Sequence, residues 1–425
     1  MNLVKTSLLN GIAVVIKMLT LLGLNKVLAI YVGPSGYAAI GQFQNVVQML
    51  TTFASGAINN GVTKYTAEYA EEEYRLHALW RTSGTIVLIG ATLASLLIAL
   101  FSKELALWTL GDVEFSGVFL CFAATLVLFS FNTLLLAVLN GRKEIILYVF
   151  ANIGGSLFSL VVTSVMAIYF GLYGALAALA IYQSLSFLVT IILCRQTTWF
   201  KIQLFFGAVD RAAALNLAKF TAMALTSAIC MPISTMLIRS DIAATLGWEA
   251  AGYWEAMLRL SAAYLLLVTT TLSVYYLPRL SELGTARELI HEIKQGYKII
   301  LPFAVLAGVV MYFARDLIVF LLFTTDFSPV RELFAWQMVG DTLKIGSWIL
   351  AYLLLGKAMY KMYIITEVVF SASYVFFAWY FVRQIGLEGV VVAYAVNYAL
   401  YWAVMVACVA GYFRTMRSTA SVKGK

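Results

Sequence analysis

Charged residues are scarce in this chain. Only 12% of its 425 residues are Asp, Glu, Lys or Arg, whereas 62% are hydrophobic. A soluble globular protein carries about a quarter charged residues, so the surface of this one could not be kept in water. The scarcity of charge therefore excludes a soluble enzyme and predicts a membrane protein.

The residues that usually build metal and nucleotide sites are also few. The two histidines, His77 and His291, lie in separate polar segments, and all four cysteines lie inside apolar runs. Metal catalysis, a thiolate metal site and a disulfide framework are therefore not expected. The chain has neither a G-x-x-x-x-G-K-[ST] phosphate loop nor a D-x-D pair in a connector, which argues against nucleotide hydrolysis and metal-dependent glycosyl transfer. We expect no metal and no organic cofactor.

Long apolar runs are what the chain has instead. Runs such as Val87–Leu100 are apolar throughout, unlike the alternating strands of a membrane β-barrel. A bilayer core needs about 20 apolar residues per helix. Lys5 is followed by a full-length apolar run without an A-x-A site, so no cleaved signal peptide is predicted. Twelve membrane spans are predicted, at 6–32, 36–64, 80–101, 116–140, 145–170, 172–194, 218–239, 250–278, 293–315, 330–355, 360–382 and 387–413.

The distribution of basic residues predicts the orientation of these spans. With the N-terminus inside, 20 of the 29 Lys and Arg residues fall in cytoplasmic connectors and tails, against 5 outside and 4 within spans. Cytoplasmic loops carry such an excess. Both termini are therefore expected in the cytoplasm. The net charge of +8 follows from this asymmetry and does not indicate nucleic-acid binding.

The two halves of the chain resemble each other. Gly171–Leu185 (GLYGALAALAIYQSL) matches Gly386–Leu400 (GLEGVVVAYAVNYAL) at an offset of 215, and Gly41–Met49 matches Gly252–Leu260 at an offset of 211. Six spans per copy is an even number, so both copies enter the membrane with the same orientation. Parallel halves around a central substrate site are a transporter architecture.

The predicted organisation is therefore an N-terminal six-helix bundle (1–194), a cytoplasmic connector (195–217) and a C-terminal six-helix bundle (218–425) with a short cytoplasmic tail. Two connectors, Arg195–Leu217 and Arg279–Glu292, are predicted to form amphipathic helices at the membrane surface.

Seven ionisable residues fall well inside the predicted spans: Lys17, Lys26, Glu255, Arg259, Asp341, Lys344 and Glu367. A charge at the bilayer centre costs about 2.5–3.5 kcal/mol on insertion scales, so such groups should face protein or water rather than lipid. Their sum, four positive against three negative, favours an anionic ligand.

Two of the charged pairs can meet on one helix face. Glu255 and Arg259 are spaced i,i+4, and Asp341 and Lys344 are spaced i,i+3 on a stripe with Gln337 and Trp348. Two interpretations stay open, a structural pair that joins helices and a working group in a cavity. Glu255, Asp341 and Glu367 are the candidates for salt bridges or for coupling to H⁺ or Na⁺.

Lys17 and Lys26 have no acidic residue within helical reach. Lys26 lies near a span end, where a lysine can extend its ammonium to the membrane surface. Lys17 lies deeper and is the stronger candidate for a ligand contact.

Span 2 carries a polar stripe of Gln44, Gln48, Thr51, Ser55 and Asn59. It is interpreted either as interhelical hydrogen bonding, at roughly 0.6 kcal/mol per contact, or as a wall that binds sugars. Pro232 in span 7 removes one backbone hydrogen bond and is a candidate hinge.

Several blocks of the sequence resemble the Wzx-type flippases of lipid-linked oligosaccharides, and especially the branch that serves the O-antigen and enterobacterial common antigen (lipid III) pathways. The matching blocks cover most of the chain and are Leu24–Gln44, Asn59–Tyr65, Leu217–Ala228, Ser273–Leu283, Leu333–Ala358 and Met362–Glu367. The resemblance implies the MOP superfamily fold shared with MATE exporters, two six-helix bundles in a V.

The same resemblance implies a function and a set of partners. The substrate would be an undecaprenyl-pyrophosphate-linked oligosaccharide, moved by alternating access from the cytoplasmic to the periplasmic leaflet of the bacterial inner membrane. Lys17, Lys26, Arg259 and Lys344 would meet the pyrophosphate, and Gln44, Gln48 and Asn59 the sugar. Membrane lipids, a polysaccharide polymerase and a chain-length regulator would be partners.

Two other functions stay open from the residues. A MATE-like ion-coupled exporter of small cationic molecules shares the fold but predicts an acidic cavity. A membrane-embedded polysaccharide polymerase or ligase would need a large extracytoplasmic loop, whereas the outer connectors here are short.

Overall fold

The computed structural model of the protein describes residues 3–357 and 359–423, and within these ranges every regular element is a helix. The prediction of an all-α membrane protein is confirmed. The helices are α1 Leu3–Tyr31, α2 Gly33–Ala54, α3 Asn59–Glu68, α4 Glu73–Leu100, α5 Ser102–Leu110, α6 Ser116–Gly141, α7 Ile145–Arg195, α8 Arg211–Leu246, α9 Trp248–Thr271, α10 Leu277–Glu282, α11 Ala286–Phe313, α12 Arg315–Leu322, α13 Val330–Gly356, α14 Tyr360–Ile385 and α15 Glu388–Lys423.

Nine helices of the described residues are long and apolar enough to cross a membrane. The 51-residue α7 counts once, although Gly171 breaks its helical geometry where predicted spans 5 and 6 meet. Helices α2 and α9, which carry Gln44, Gln48, Glu255 and Arg259, are not among the nine. Twelve crossings are compatible with this arrangement.

Many large apolar side chains face outward on these helices. On α11, Ile299, Leu306 and Phe313 are 68%, 61% and 76% exposed. On α4, Leu96 and Leu100 are 64% and 72% exposed. A soluble protein rarely leaves such continuous apolar surface in water. These faces are suited to contact with lipid.

The chain forms two compact units, Met1–Met236 and Leu237–Lys425. In the first, α6 is central and packs against α3, α4 and α7, while α1 lies on α7. In the second, α13 is central and packs against α9, α11 and α15. The division lies inside α8, one turn after Pro232, rather than in the connector at 195–217.

The internal repeat is visible in the backbone. Shifting α6 by 215 residues gives 331–356, and α13 spans Val330–Gly356. Gly171 has φ 53° and ψ −135°, and Gly386, its repeat partner, has φ 70° and ψ −146°. L residues with a side chain rarely adopt this region. Both copies therefore turn at a glycine between the same two repeat helices.

Replacing Gly171 or Gly386 by alanine should lower the free energy of unfolding by about 1–3 kcal/mol, because a Cβ strains this backbone although no neighbouring atom lies within 4 Å. The thermal unfolding midpoint of the purified protein in detergent measures the change. Gly411, which also has open space but no positive φ, is the matched control, and Gly411→Ala should be neutral or stabilising. Equal midpoints for all three variants would contradict the strain argument.

Three features of the prediction are wrong. Span 2, predicted as one helix over 36–64, is broken between α2 and α3, where Gly56 and Ala57 have φ 65° and 54°. Neither long connector forms one continuous helix of its own. Residues 196–210 contain only a 3-10 turn at Ile202–Phe205, and the segment at 279–292 divides between α10, a short break and α11. Gly56 and Gly284 lie at two of these breaks, where apolar periodicity alone would have continued a helix.

Candidate functional site

The polar residues inside the C-terminal unit surround Asp341 on α13, which is 1% exposed. Its Oδ2 accepts hydrogen bonds from the hydroxyls of Ser261 (2.5 Å) and Tyr264 (2.7 Å) on α9. Its Oδ1 accepts from the hydroxyl of Tyr394 on α15 (2.9 Å) and from Nε2 of Gln337 (3.2 Å). All four neighbours can donate to an ionised carboxylate, which only accepts. The arrangement thus satisfies both carboxyl oxygens of Asp341 and joins three helices.

Lys344 lies one turn further along α13 and does not form the close pair with Asp341 that the i,i+3 spacing allows. Its Nζ lies over the rings of Trp348 (4.8 Å to the centroid), Tyr398 (5.6 Å) and Tyr394 (5.7 Å). Within the described residues it makes no hydrogen bond and no ion pair, and the side chain is only half-buried. An ammonium has three donors. The ring cage therefore holds a cation whose donors are free to bind an anion.

Glu367 on α14 is the second charged group of this unit without a close partner. The half-buried carboxylate interacts with Lys344 at longer range, and no described residue gives it a hydrogen bond or an ion pair. Lys344 and Glu367 are thus the two groups of the predicted set that the C-terminal unit leaves available.

Glu255 on α9 forms a buried triad with two arginines. Its Oε1 lies 2.9 Å from Nε of Arg259, and its Oε2 lies 2.5 Å from a terminal nitrogen of Arg239. The Arg239 side chain is 2% exposed and also lies over the ring of Trp254 at 5.5 Å. The predicted pairing of Glu255 with Arg259 is present. It belongs to a network of three residues that carries two positive charges and one negative charge.

Arg239 is the charged residue that sequence analysis misplaced. It ends predicted span 7 (218–239), whereas α8 continues to Leu246 and places Arg239 in the core of the C-terminal unit. A signal was available, since no glycine or proline follows Arg239 until Gly247. With Arg239 added to the charged residues predicted inside the spans of this unit, three cations (Arg239, Arg259 and Lys344) stand against three anions (Glu255, Asp341 and Glu367).

Sequence analysis also missed Ser261, Tyr264, Tyr394 and Tyr398. The internal repeat contains a signal for Ser261, Tyr264 and Tyr394, because the C-terminal copy is polar at these positions where the N-terminal copy is apolar. At an offset of 215, Asp341, Lys344 and Tyr394 correspond to Leu126, Phe129 and Leu179. At an offset of 211, Glu255 and Arg259 correspond to the neutral Gln44 and Gln48. Differences between the copies therefore mark this cluster.

The N-terminal unit holds the remaining predicted residues. Lys17 is exposed on α1 and Lys26 is half-buried on the same helix. Gln44 and Gln48 share α2, whereas Ser55 is buried beyond its end and Asn59 begins α3. The polar stripe of span 2 is therefore not continuous. The hydroxyl of Thr51 donates to the backbone carbonyl of Val47, one turn earlier in α2.

A separate polar network joins α6 and α7 in this unit. Asn132, 1% exposed, accepts a hydrogen bond from Thr190 (2.7 Å) and donates one to Gln183 (3.0 Å). All three residues of this network are neutral, and Asn132 is fully buried. The network joins helices and offers no free charge to a ligand.

Pro232 lies inside α8 without ending it. The hydroxyl of Thr235, one turn later, donates to the carbonyls of Met231 and Pro232 and accepts a hydrogen bond from Asn45 at 2.8 Å. The hinge assigned to Pro232 stays a prediction.

Known proteins resemble this chain over nearly its whole length. The family model described as polysaccharide biosynthesis protein matches residues 3–284. The lipid III flippases of Escherichia coli (strain K12) and Shigella flexneri are each 31% identical over 402 residues, which cover 95% of this chain and 97% of the relative.

Solved structures share the fold at lower identity. An inward-facing multidrug resistance MATE transporter of the MOP superfamily superposes with a TM-score of 0.73 at 16% identity, covering 95% of this chain and 96% of that one. A MOP superfamily transporter from Pyrococcus furiosus, described as having a binding pocket of reverse polarity, gives 0.66 at 15% identity with the same coverage. The predicted MOP fold is confirmed.

Proposed function

The chain belongs to the polysaccharide biosynthesis protein family, and we propose that it is a flippase that carries a lipid-linked oligosaccharide across the membrane. The two most informative relatives are named lipid III flippases and align over 97% of their own length. The specific substrate we propose is an undecaprenyl-pyrophosphate-linked oligosaccharide, of the lipid III or O-antigen kind. Translocation would proceed by alternating access.

The observation that carries this proposal is the caged ammonium of Lys344. A pyrophosphate presents charged oxygens, and hydrogen bonds between charged partners are about twice as strong as neutral ones. The N–H donors of Lys344 are available to a ligand, because the ammonium contacts only the faces of aromatic rings among the described residues. Arg259, whose side chain is 13% exposed and pairs with Glu255, supplies a second cation in the same unit.

Lys17 and Lys26 on α1, with Gln44, Gln48 and Asn59, are proposed contacts for the rest of the headgroup. Exposed Lys17 and Gln48 have side chains that can reach a ligand. Amides donate and accept hydrogen bonds, as sugar hydroxyls require.

For ion coupling, we assign the exchangeable group to Glu367 rather than to Asp341. Four donors occupy the oxygens of Asp341, so protonation there would displace a hydrogen bond. Glu367 has no such donors among the described residues. Proton or sodium coupling would therefore act beside the Lys344 cation.

The protein would lie in the bacterial inner membrane with both termini in the cytoplasm, as the distribution of basic residues predicts. A polysaccharide polymerase and a chain-length regulator would act on the delivered substrate. Export of small cationic molecules, the activity suggested by the fold of MATE transporters, is disfavoured by a cation whose donors are free.

Reconstitution of the purified chain into proteoliposomes with fluorescently labelled, lipid-linked oligosaccharide tests the proposal. We expect labelled headgroup to appear in the opposite leaflet faster than in protein-free vesicles. Parallel vesicles loaded with a fluorescent organic cation measure the exporter activity. Efflux of the cation without movement of the lipid-linked substrate would refute the flippase.

Lys17→Ala is expected to abolish complementation of a flippase-null strain while the protein still inserts into the membrane. Lys17 lies exposed on α1, so its loss removes a ligand contact without opening a cavity. Surface polysaccharide and membrane-fraction immunoblots measure function and insertion together. Normal polysaccharide from this variant would remove Lys17 from the site.

A further inference from the structure

One arginine of the N-terminal unit, Arg142, packs against the rings of two tryptophans. The guanidinium of Arg142, just after α6, lies 4.9 Å from the ring centroid of Trp199 and 5.6 Å from that of Trp80. The two indoles are themselves 5.3 Å apart. A planar guanidinium on aromatic faces gains cation–π attraction while its edge stays open.

No described residue balances the charge of Arg142. It makes no ion pair and no hydrogen bond, and its Nε is buried without a partner. The two terminal nitrogens are not buried, so the open end of the guanidinium fork faces outward. A buried donor without an acceptor destabilises the fold, because it has lost its hydrogen bond to water.

A second unpaired donor lies in the same cluster. Nε1 of Trp199 is buried without an acceptor, whereas Nε1 of Trp80 donates to the hydroxyl of Thr66 at 3.1 Å. Lys143 follows Arg142 in the sequence and is exposed, as is Arg81 beside Trp80. The two unpaired donors, of Arg142 and Trp199, indicate an anion.

The segment between α7 and α8 holds this cluster rigid. Phe205 stacks on Trp80 with centroids 5.7 Å apart, and a Cβ on Gly84 would overlap the Phe205 carbonyl. The hydroxyl of Thr82 accepts from the amide of Asp210 at 2.9 Å, and that of Thr85 donates to the carbonyl of Gly207 at 2.9 Å. The second half of the segment is thus fixed to α4.

We propose that Arg142 and Trp199 form a binding site for a phosphate group, separate from the site of the translocated substrate. The two terminal nitrogens of Arg142 would bind two phosphate oxygens. A small rotation of the Trp199 ring would let its N–H bind a third oxygen. The site lies where α6 ends and α7 begins, and tryptophans at span ends lie at the level of lipid headgroups. The chemistry is that of an anionic phospholipid headgroup or of a soluble phosphate.

Isothermal titration calorimetry on the purified full chain in an uncharged detergent tests the site. The probes are dihexanoylphosphatidylglycerol and inorganic phosphate, titrated separately. Arg142→Gln should weaken binding of the effective probe about tenfold or more, because a charge-assisted hydrogen bond is lost. Arg142→Lys should recover only part of it, since an ammonium cannot bind two oxygens as a fork.

Control variants separate this site from general charge. Arg211→Gln, at the exposed start of α8, should leave the dissociation constant within twofold. Trp199→Phe keeps a ring and should weaken binding severalfold through loss of the N–H. Binding of phosphatidylglycerol alone identifies a lipid site, and binding of inorganic phosphate identifies a soluble ligand. Unchanged affinity in both Arg142→Gln and Trp199→Phe, or no binding of either probe to the wild type, would overturn the proposal.

Discussion

Lys344→Gln should stop translocation of the lipid-linked oligosaccharide and leave the protein folded. Lys344 makes no hydrogen bond and no ion pair with any described residue, so its removal leaves no hydrogen-bond donor or acceptor of the fold unsatisfied. Each charge-assisted hydrogen bond lost to the pyrophosphate costs about 1.5–3 kcal/mol, which is roughly 10- to 150-fold in affinity. The initial rate of headgroup movement in proteoliposomes measures the loss.

The matched control is Lys298→Gln, an exposed lysine of the same unit, which should transport at the wild-type rate. Lys344→Arg keeps the charge and the contacts with the rings, so it should retain part of the activity. The unfolding midpoint of Lys344→Gln should stay close to that of the wild type. Wild-type transport by a correctly inserted Lys344→Gln protein would show that the caged cation does not bind the substrate.

Glu255→Gln should be the most destabilising single substitution in the C-terminal unit. The variant would leave the guanidinium groups of Arg239 and Arg259 close together without their shared carboxylate. Breaking a buried ion pair by removing one partner costs about 3–5 kcal/mol. For a unit of this size we expect an unfolding midpoint about 10 °C lower or more, with a matching loss of protein from the membrane fraction.

Two further variants make the expectation specific. Glu282→Gln removes an exposed glutamate that pairs with Arg279 at 3.7 Å, and it should change the midpoint little because surface pairs contribute about 0–1 kcal/mol. Adding Arg239→Leu to Glu255→Gln removes the buried cation and should recover part of the lost stability. A single Glu255→Gln variant as stable as the wild type, or a double variant less stable than it, would contradict the triad.

Several parts of the candidate site could be predicted from spacing alone. The i,i+4 rule brings Glu255 and Arg259 together, and the stripe on α13 aligns Gln337 with Asp341, as observed at 3.2 Å. Spacing failed for Asp341 and Lys344, because hydroxyls from α9 and α15 occupy the carboxylate while aromatic rings take up the ammonium.

The composition and the lengths of the apolar runs determined the membrane class, the approximate helix bounds and the repeat. These are local properties, since a run of about 20 apolar residues must form a helix to satisfy its backbone in lipid. The glycines at 171 and 386 belong here too, because their backbone conformation depends on their own missing side chain.

Tertiary structure alone decided which charges are satisfied and which stay available. Asp341 receives donors from residues 53–80 positions away, and Arg239 reaches Glu255 only because α8 passes into the core. Helical periodicity shows which residues share one face of a helix, but it does not show which residues of other helices pack against that face. Those neighbouring residues decide whether a buried charge is stable, because a charge in a low-dielectric interior needs the partners that other helices bring to it.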